Sequence, residues 1–172
     1  MEKRISAILI FLSLAALIVP LLAFAQTGPS RVVLPVPFTS QAPAGNWAQP
    51  WQDFCEEASV VMVAHFVWDL PLSRSLAETE MKIIQQYEDV VFGRRLDTSV
   101  SETARIMQQL YRLPNVSVES VSSADTVKEE IRKGRIVILP VAGRMLGNPH
   151  FKQPGPLYHM LVVIGFDNMK KI

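Results

Sequence analysis

The stretch Asp53-Phe-Cys-Glu-Glu-Ala-Ser-Val-Val-Met-Val-Ala-His-Phe-Val-Trp68 lies between a loop rich in Pro, Gly, Asn and Gln (residues 39–53) and Pro71. Ala58, Val61, Met62, His65 and Phe66 recur in it at helical spacing, which predicts a buried stripe on a helix running to about Trp68. Pro71 ends that pattern. Asp53 with Glu56 three residues on has the form of a capping box, and puts Cys55 at the second helical position.

Downstream, Ser73 or Ser75 begins a second helix to about Tyr87, and Asp97 or Thr98 caps a third, in which Val100, Ala104, Met107 and Tyr111 follow the helical period. Strands then take over. Val116–Val121 alternates as a strand, Ser122–Lys133 forms a short helix ending at Gly134, and Ile136–Val141 is a fully apolar strand. A loop from Ala142 to Leu157, punctuated by glycine and proline, leads to a strand headed by His159. Upstream, Arg31–Phe38 reads as an extended edge segment, because its two prolines exclude a central strand. Helices first and strands later predict an α+β domain with a helical half packed on an antiparallel sheet.

The N-terminus has a different composition. After Met-Glu-Lys-Arg comes an apolar stretch, Ile5 to Ala25, with Pro20 near its end and Ala23-Phe24-Ala25 as a small-x-small cleavage signal. Residues 1–25 therefore read as a secretory signal peptide, with an uncleaved N-terminal membrane anchor as the alternative because 21 residues are long enough to span a bilayer. Residues 26–30 are a short linker. Cleavage after Ala25 leaves 172 − 25 = 147 residues, a length suited to one domain (residues 31–172) with one core. Without Glu2, Lys3 and Arg4 that chain has 15 basic and 15 acidic residues, so no net field draws nucleic acid or an anionic lipid surface. Membrane contact is expected only through the N-terminal segment, in a secreted or cell-envelope protein.

Cys55 is the single cysteine, so it cannot be half of an internal disulfide. A thiol in the first helical turn lies among unpaired backbone N–H groups at the positive end of the helix dipole, which favours the thiolate and can also hold an oxyanion. Glu56 and Glu57 oppose that effect by raising a thiol pKa, and a nearby protonated histidine is expected to outweigh both. Of the three histidines, His65 lies ten residues along the same helix, about 15 Å of axial rise, and is assigned a structural role. His150 stands in the Pro/Gly loop. His159, flanked by apolar residues at the start of a strand, is the stronger general base. Cys55 and His159 together suggest acyl-transfer chemistry, with a glutamine amide as second oxyanion donor. Gln41, Gln49 and Gln52 all precede the cysteine, and their spacing alone does not choose among them. No metal or cofactor is expected, since the histidines and the cysteine show no ligand spacing and there is no Gly-rich phosphate loop.

The segments Val-Pro-Phe-Thr-Ser-Gln-Ala-Pro (36–43), Cys-Glu-Glu-Ala-Ser (55–59), Thr-Ser-Val-Ser-Glu-Thr-Ala (98–104), Ala-Gly-Arg-Met-Leu-Gly-Asn-Pro (142–149) and Pro-Leu-Tyr-His-Met-Leu-Val-Val (156–163) resemble the peptidase C39-like proteins, a secreted bacterial branch of the papain-like cysteine peptidases. The resemblance runs from Val32 to Asp167. It implies a papain-like fold, a peptide or other amide substrate, Cys55 as nucleophile, His159 as base and Gln41 as oxyanion donor. Gln49 is the second choice, being six residues before the cysteine as in the papain pattern. The resemblance also implies an Asp on the strand after the histidine strand. The sequence stops at Ile172 before such a strand, so the domain is expected to lack its C-terminal strands, and Asp167 and Asn168 lie too far along an extended chain to replace that Asp. The rival expectations are a papain-like binding module without catalysis and a structural, membrane-tethered domain with an inert cysteine.

Overall fold

In the structure, a computed structural model, residues 28–93 and 97–170 are described. The expected signal peptide or anchor lies outside the described residues, as do Gln26 and Thr27 of the linker. No helix among the described residues is long and apolar enough to cross a membrane.

Helix α1 (Cys55–Val67) is the centre of the domain. Its buried residues form a wider face than the expected stripe, since Val60 and Val63 are buried while Met62 and Phe66 are only half-buried. The reason is that α1 is covered from several sides, by α2 (Arg74–Val91), α3 (Val100–Gln109) and strand β3 (His159–Val163). Towards α2 and α3 the core is Phe54, Ala58, Val60 and Val61 against Ala77, Met81, Ile84 and Ile106. Along α2, Ala77, Met81, Ile84 and Glu88 follow one another at steps of four, three and four, so a carboxylate occupies a position where the pattern calls for an apolar side chain. Towards the strands, Val63, Ala64 and Leu113 pack with Ile136, Ile138 and Val162.

The strands form two antiparallel pairs among the described residues. Strand β2 (Val137–Val141) pairs with β3, with Val141 opposite His159 and Pro140 opposite Met160. Strand β1 (Arg31–Val33) pairs with β4 (Gly165–Asp167), with Val32 opposite Phe166. The extended N-terminal edge is thus present, but only its first three residues make a ladder. Helix α4 (Ala124–Arg132) packs against β1, β2 and β4. This is the expected α+β arrangement of a papain-like domain, with helices on small antiparallel sheets.

Three local expectations are corrected. The N-cap of α1 is Phe54 with no side-chain cap, so there is no Asp53–Glu56 capping box and Cys55 is the first helical residue. Glu56 is buried and turned to the thiol, so it cannot reach back to a cap. The cap of α3 is Ser99, which forms the reciprocal box with Glu102 that neither Asp97 nor Thr98 makes. Residues 116–121 are not a strand: no neighbouring strand among the described residues receives their backbone, and the segment instead lines one side of an apolar cavity of about 550 Å³, shared with Val63, Met107, Ile138 and Met160. Neither Cys55 nor His159 lines that cavity.

Candidate active site

Cys55 is positioned by what precedes it. The 3₁₀ turn Trp51–Asp53 directs the chain into α1, and the Trp51 and Phe54 rings meet edge to face with centroids 5.2 Å apart. The Phe54 carbonyl accepts the Ala58 N–H at 3.0 Å, opening the helix. Cys55 is then buried, and its carbonyl accepts the Ser59 hydroxyl at 2.7 Å.

Among the described residues the thiol makes two hydrogen bonds. It accepts the backbone N–H of Met160 at 3.3 Å, and it donates to Glu56 Oε2 at 2.9 Å. The first bond ties the start of α1 to the start of β3, so the cysteine is joined to the residue next to His159. The second is a bond that the sequence reading missed. Among the described residues no hydrogen bond links the thiol to the His159 ring. That ring is half-buried and meets Phe151 edge to face at 5.3 Å.

Burial pushes the Cys55 thiol well up from its ordinary pKa, and the Glu56 carboxylate pushes it further through its charge and its hydrogen bond. The Met160 N–H opposes the rise, and Glu57 adds to it. A protonated histidine was expected to outweigh the carboxylates. Instead, burial lowers the His159 pKa, because the charged imidazolium is the form that loses solvation.

Glu56 is itself only 1 % exposed, and burial raises its pKa, against the lowering effect of its bond from the thiol. Its Oε1 is buried with no hydrogen-bond partner among the described residues. The Tyr158 hydroxyl stands beside it, close enough to favour the charged carboxylate, while donating to the Thr98 carbonyl at 3.3 Å. The sequence marks Glu56 only as a carboxylate beside the thiol that raises its pKa; its burial follows from the covering of α1 on several sides.

The Gln41 amide donates to the carbonyls of Trp51 (3.2 Å) and Gln52 (2.7 Å), beside the turn that delivers Cys55. Gln49 donates to Asp53 Oδ2 at 2.6 Å from an exposed position. His65 is fully engaged in the core, with Nδ1 on the Pro71 carbonyl and Nε2 on Glu80 Oε1, each at 2.9 Å, as a structural histidine should be. His150 is exposed, its N–H bonded to Asn148 Oδ1. Arg144 pins the long loop by donating to the Gly155 carbonyl at 3.0 Å. Asp167 lies opposite Arg31 across the β1–β4 pair, with a 3.9 Å contact between their side chains.

A helical half on antiparallel strands, with a cysteine opening the central helix against a histidine-headed strand, defines the class of papain-like domains. Residues 33–172 match the model of the Peptidase_C39 like family, and the chain belongs to that family. Comparison with curated proteins and with solved structures gave no match.

Proposed function

We propose that this protein is a secreted or membrane-anchored cysteine hydrolase that cleaves peptide or other amide bonds. Membership of a peptidase-like family supports hydrolysis at the level of the class. The observation that carries the residue assignment is the bond from the Met160 N–H to Cys55 Sγ, which brings the lone thiol to the His159 end of β3. In this reading Cys55 attacks the carbonyl carbon, and His159 provides the acid–base function at the leaving amine. The Cys55 N–H, at the first helical position and without a partner among the described residues, is one oxyanion donor, and Gln41 is the other. Gln41 would have to turn one N–H away from the Trp51 or Gln52 carbonyl to serve, so Gln49 stays the second choice. Export rests on the apolar segment from Ile5 to Ala25.

The test is hydrolysis of a mixed peptide library by the full chain and by Cys55→Ser. Cleavage by the first and not the second supports the proposal, and Gln41→Ala should then lower turnover by about 10² to 10³. The thiol's bond to Glu56 in place of His159 favours a second reading, a papain-like binding module without catalysis. A chain that binds peptides and cleaves none would establish that module instead.

A further inference from the structure

The Cys55–Glu56 contact assigns a role that neither the family nor the proposed mechanism gives to Glu56. Sulfur and carboxylate are 2.9 Å apart with the thiol as donor, inside the protein, where both partners are almost wholly removed from water. Such a bond is charge-assisted and short for one involving sulfur. Among the described residues, the titratable groups facing Glu56 are Cys55 and Glu57 on α1, Glu88 from α2, Asp97 from the segment before α3, and Tyr158 from the segment before β3. None of these is a cation. His159 is the remaining titratable group of the site, and its burial favours the neutral ring.

Charge counting then restricts where the thiol proton goes. If it leaves for any acceptor but Glu56, a thiolate and a carboxylate are left side by side in a buried site already lined by acidic groups. Passing it to Glu56 keeps the pair at one negative charge throughout, which avoids that repulsion. Oε1, buried without a hydrogen-bond partner among the described residues, makes the ionised carboxylate costly, an effect that the neighbouring Tyr158 hydroxyl opposes and protonation relieves.

We infer that Glu56 is a further catalytic residue, the first acceptor of the Cys55 proton: at rest the proton is on sulfur, and the thiolate forms as it crosses to Glu56 Oε2. In that step the S–H bond breaks, an O–H bond forms, the electron pair stays on sulfur, and the negative charge moves from oxygen to sulfur. The functional meaning rests on the reading of Cys55 as a nucleophile; the proton transfer is testable without it.

The experiment is the rate of Cys55 alkylation by iodoacetamide in the full chain between about pH 6 and about pH 8. Below its pKa an ordinary thiol alkylates about tenfold faster for each unit that the pH is raised, whereas a proton exchanged within the pair makes the thiolate fraction independent of solution pH. The wild-type rate is expected to be flat across this range. Glu56→Gln should restore the tenfold-per-unit slope, while His159→Ala should stay flat. A slope in the wild type, or a flat profile lost in His159→Ala and kept in Glu56→Gln, overturns the proposal. Should Glu56→Gln fail to fold, the wild-type and His159→Ala profiles still decide. The S–H stretching band provides an independent check, since one cysteine gives one band: it should be present at neutral pH and shifted down from that of a free thiol, and its absence would overturn the resting state. Failure of the peptidase reading shows separately, as a chain with these alkylation profiles and no peptide cleavage.

Discussion

His65, Glu80 and Tyr111 show how polar groups are held inside this protein by one another. The imidazole is 3 % exposed, yet both ring nitrogens have partners, and Glu80 uses its second oxygen to accept the Tyr111 hydroxyl at 2.8 Å. The network joins α1, α2 and the turn after α3 through one carboxylate. Replacing Glu80 by alanine leaves a buried ring nitrogen and a largely buried hydroxyl unpaired, so Glu80→Ala should cost about 2–4 kcal/mol, measured by urea unfolding. Tyr111→Phe removes only one hydroxyl and leaves Glu80 on His65, so it should cost about 1 kcal/mol. Equal losses in the two variants would mean that Glu80 does not hold His65. The buried carboxylates of α1 and α2 are different in kind, since Glu56 and Glu57 on α1 and Glu88 on α2 each retain a buried oxygen without a partner among the described residues. Their presence in the core is therefore a feature of chemistry or charge, not of packing.

Among the elements, the β1–β4 pair ties the start of the described chain to its end, and it depends on one missing side chain. Gly165 lies against Val32 and Val33, and a Cβ there would run into the Val32 carbonyl oxygen and come within 3.0 Å of the Val33 Cα. Backbone cannot move aside as a flexible side chain can, so Gly165→Ala should open the pair and lower stability by about 1–3 kcal/mol. The expected signature is early hydrogen exchange at the Leu34 amide, which now donates to the Ile164 carbonyl at 2.7 Å, with the β2–β3 amides still protected. Exchange unchanged at Leu34 would show that the pair tolerates the methyl group. The sequence carried the order of these elements well: α1, α2, α4, β2 and β3 lie close to where periodicity and turn residues predict them. It failed where tertiary partners decide. Val116–Val121 has the alternation of a strand but no strand beside it among the described residues, and Asp53 has the chemistry of a cap while the 3₁₀ turn hands that position to Phe54. For the site, position was legible and protonation was not. A thiol at a helix start and a histidine at a strand start can be read from spacing. The effect of enclosing α1 on several sides, which buries Glu56 against the thiol, is a property of packing that no local pattern encodes.

At the scale of the whole molecule, the buried acidic residues make stability depend on pH in a direction opposite to that of a paired carboxylate. Burial raises the Glu57 pKa to about 10 and that of Glu88, on the facing helix, to about 7; the Glu88 charge adds to the rise at Glu57, while the Glu56 charge adds to that at Glu88 and a hydrogen bond from Glu57 opposes it. Glu57 Oε2 and Glu88 Oε1, both without donors among the described residues, are satisfied if a proton on Glu57 lies between them. In the unfolded chain both groups ionise near 4.5. Folded protein therefore binds more protons than unfolded protein above that pH. The stabilisation is complete below the unfolded pKa and is lost as pH rises through the folded values. His159 acts in the opposite sense: its lowered pKa makes the folded state gain stability as pH rises towards the ordinary histidine value, a gain complete by about pH 7, so the clean range for the carboxyls starts there. From there to about pH 8.5 the folded chain retains roughly one extra proton on Glu57, worth about 1.4 kcal/mol per pH unit, and unfolding free energy should fall by about 2 kcal/mol. Glu57→Gln, which mimics the protonated carboxyl and keeps a donor towards Glu88, should flatten this profile and make the variant more stable than wild type at pH 8.5. Urea unfolding of both proteins at several pH values in this range measures the effect. A wild-type stability that holds level or rises from pH 7 to pH 8.5 would mean that Glu57 is ionised in the folded chain, with a cation supplied to it.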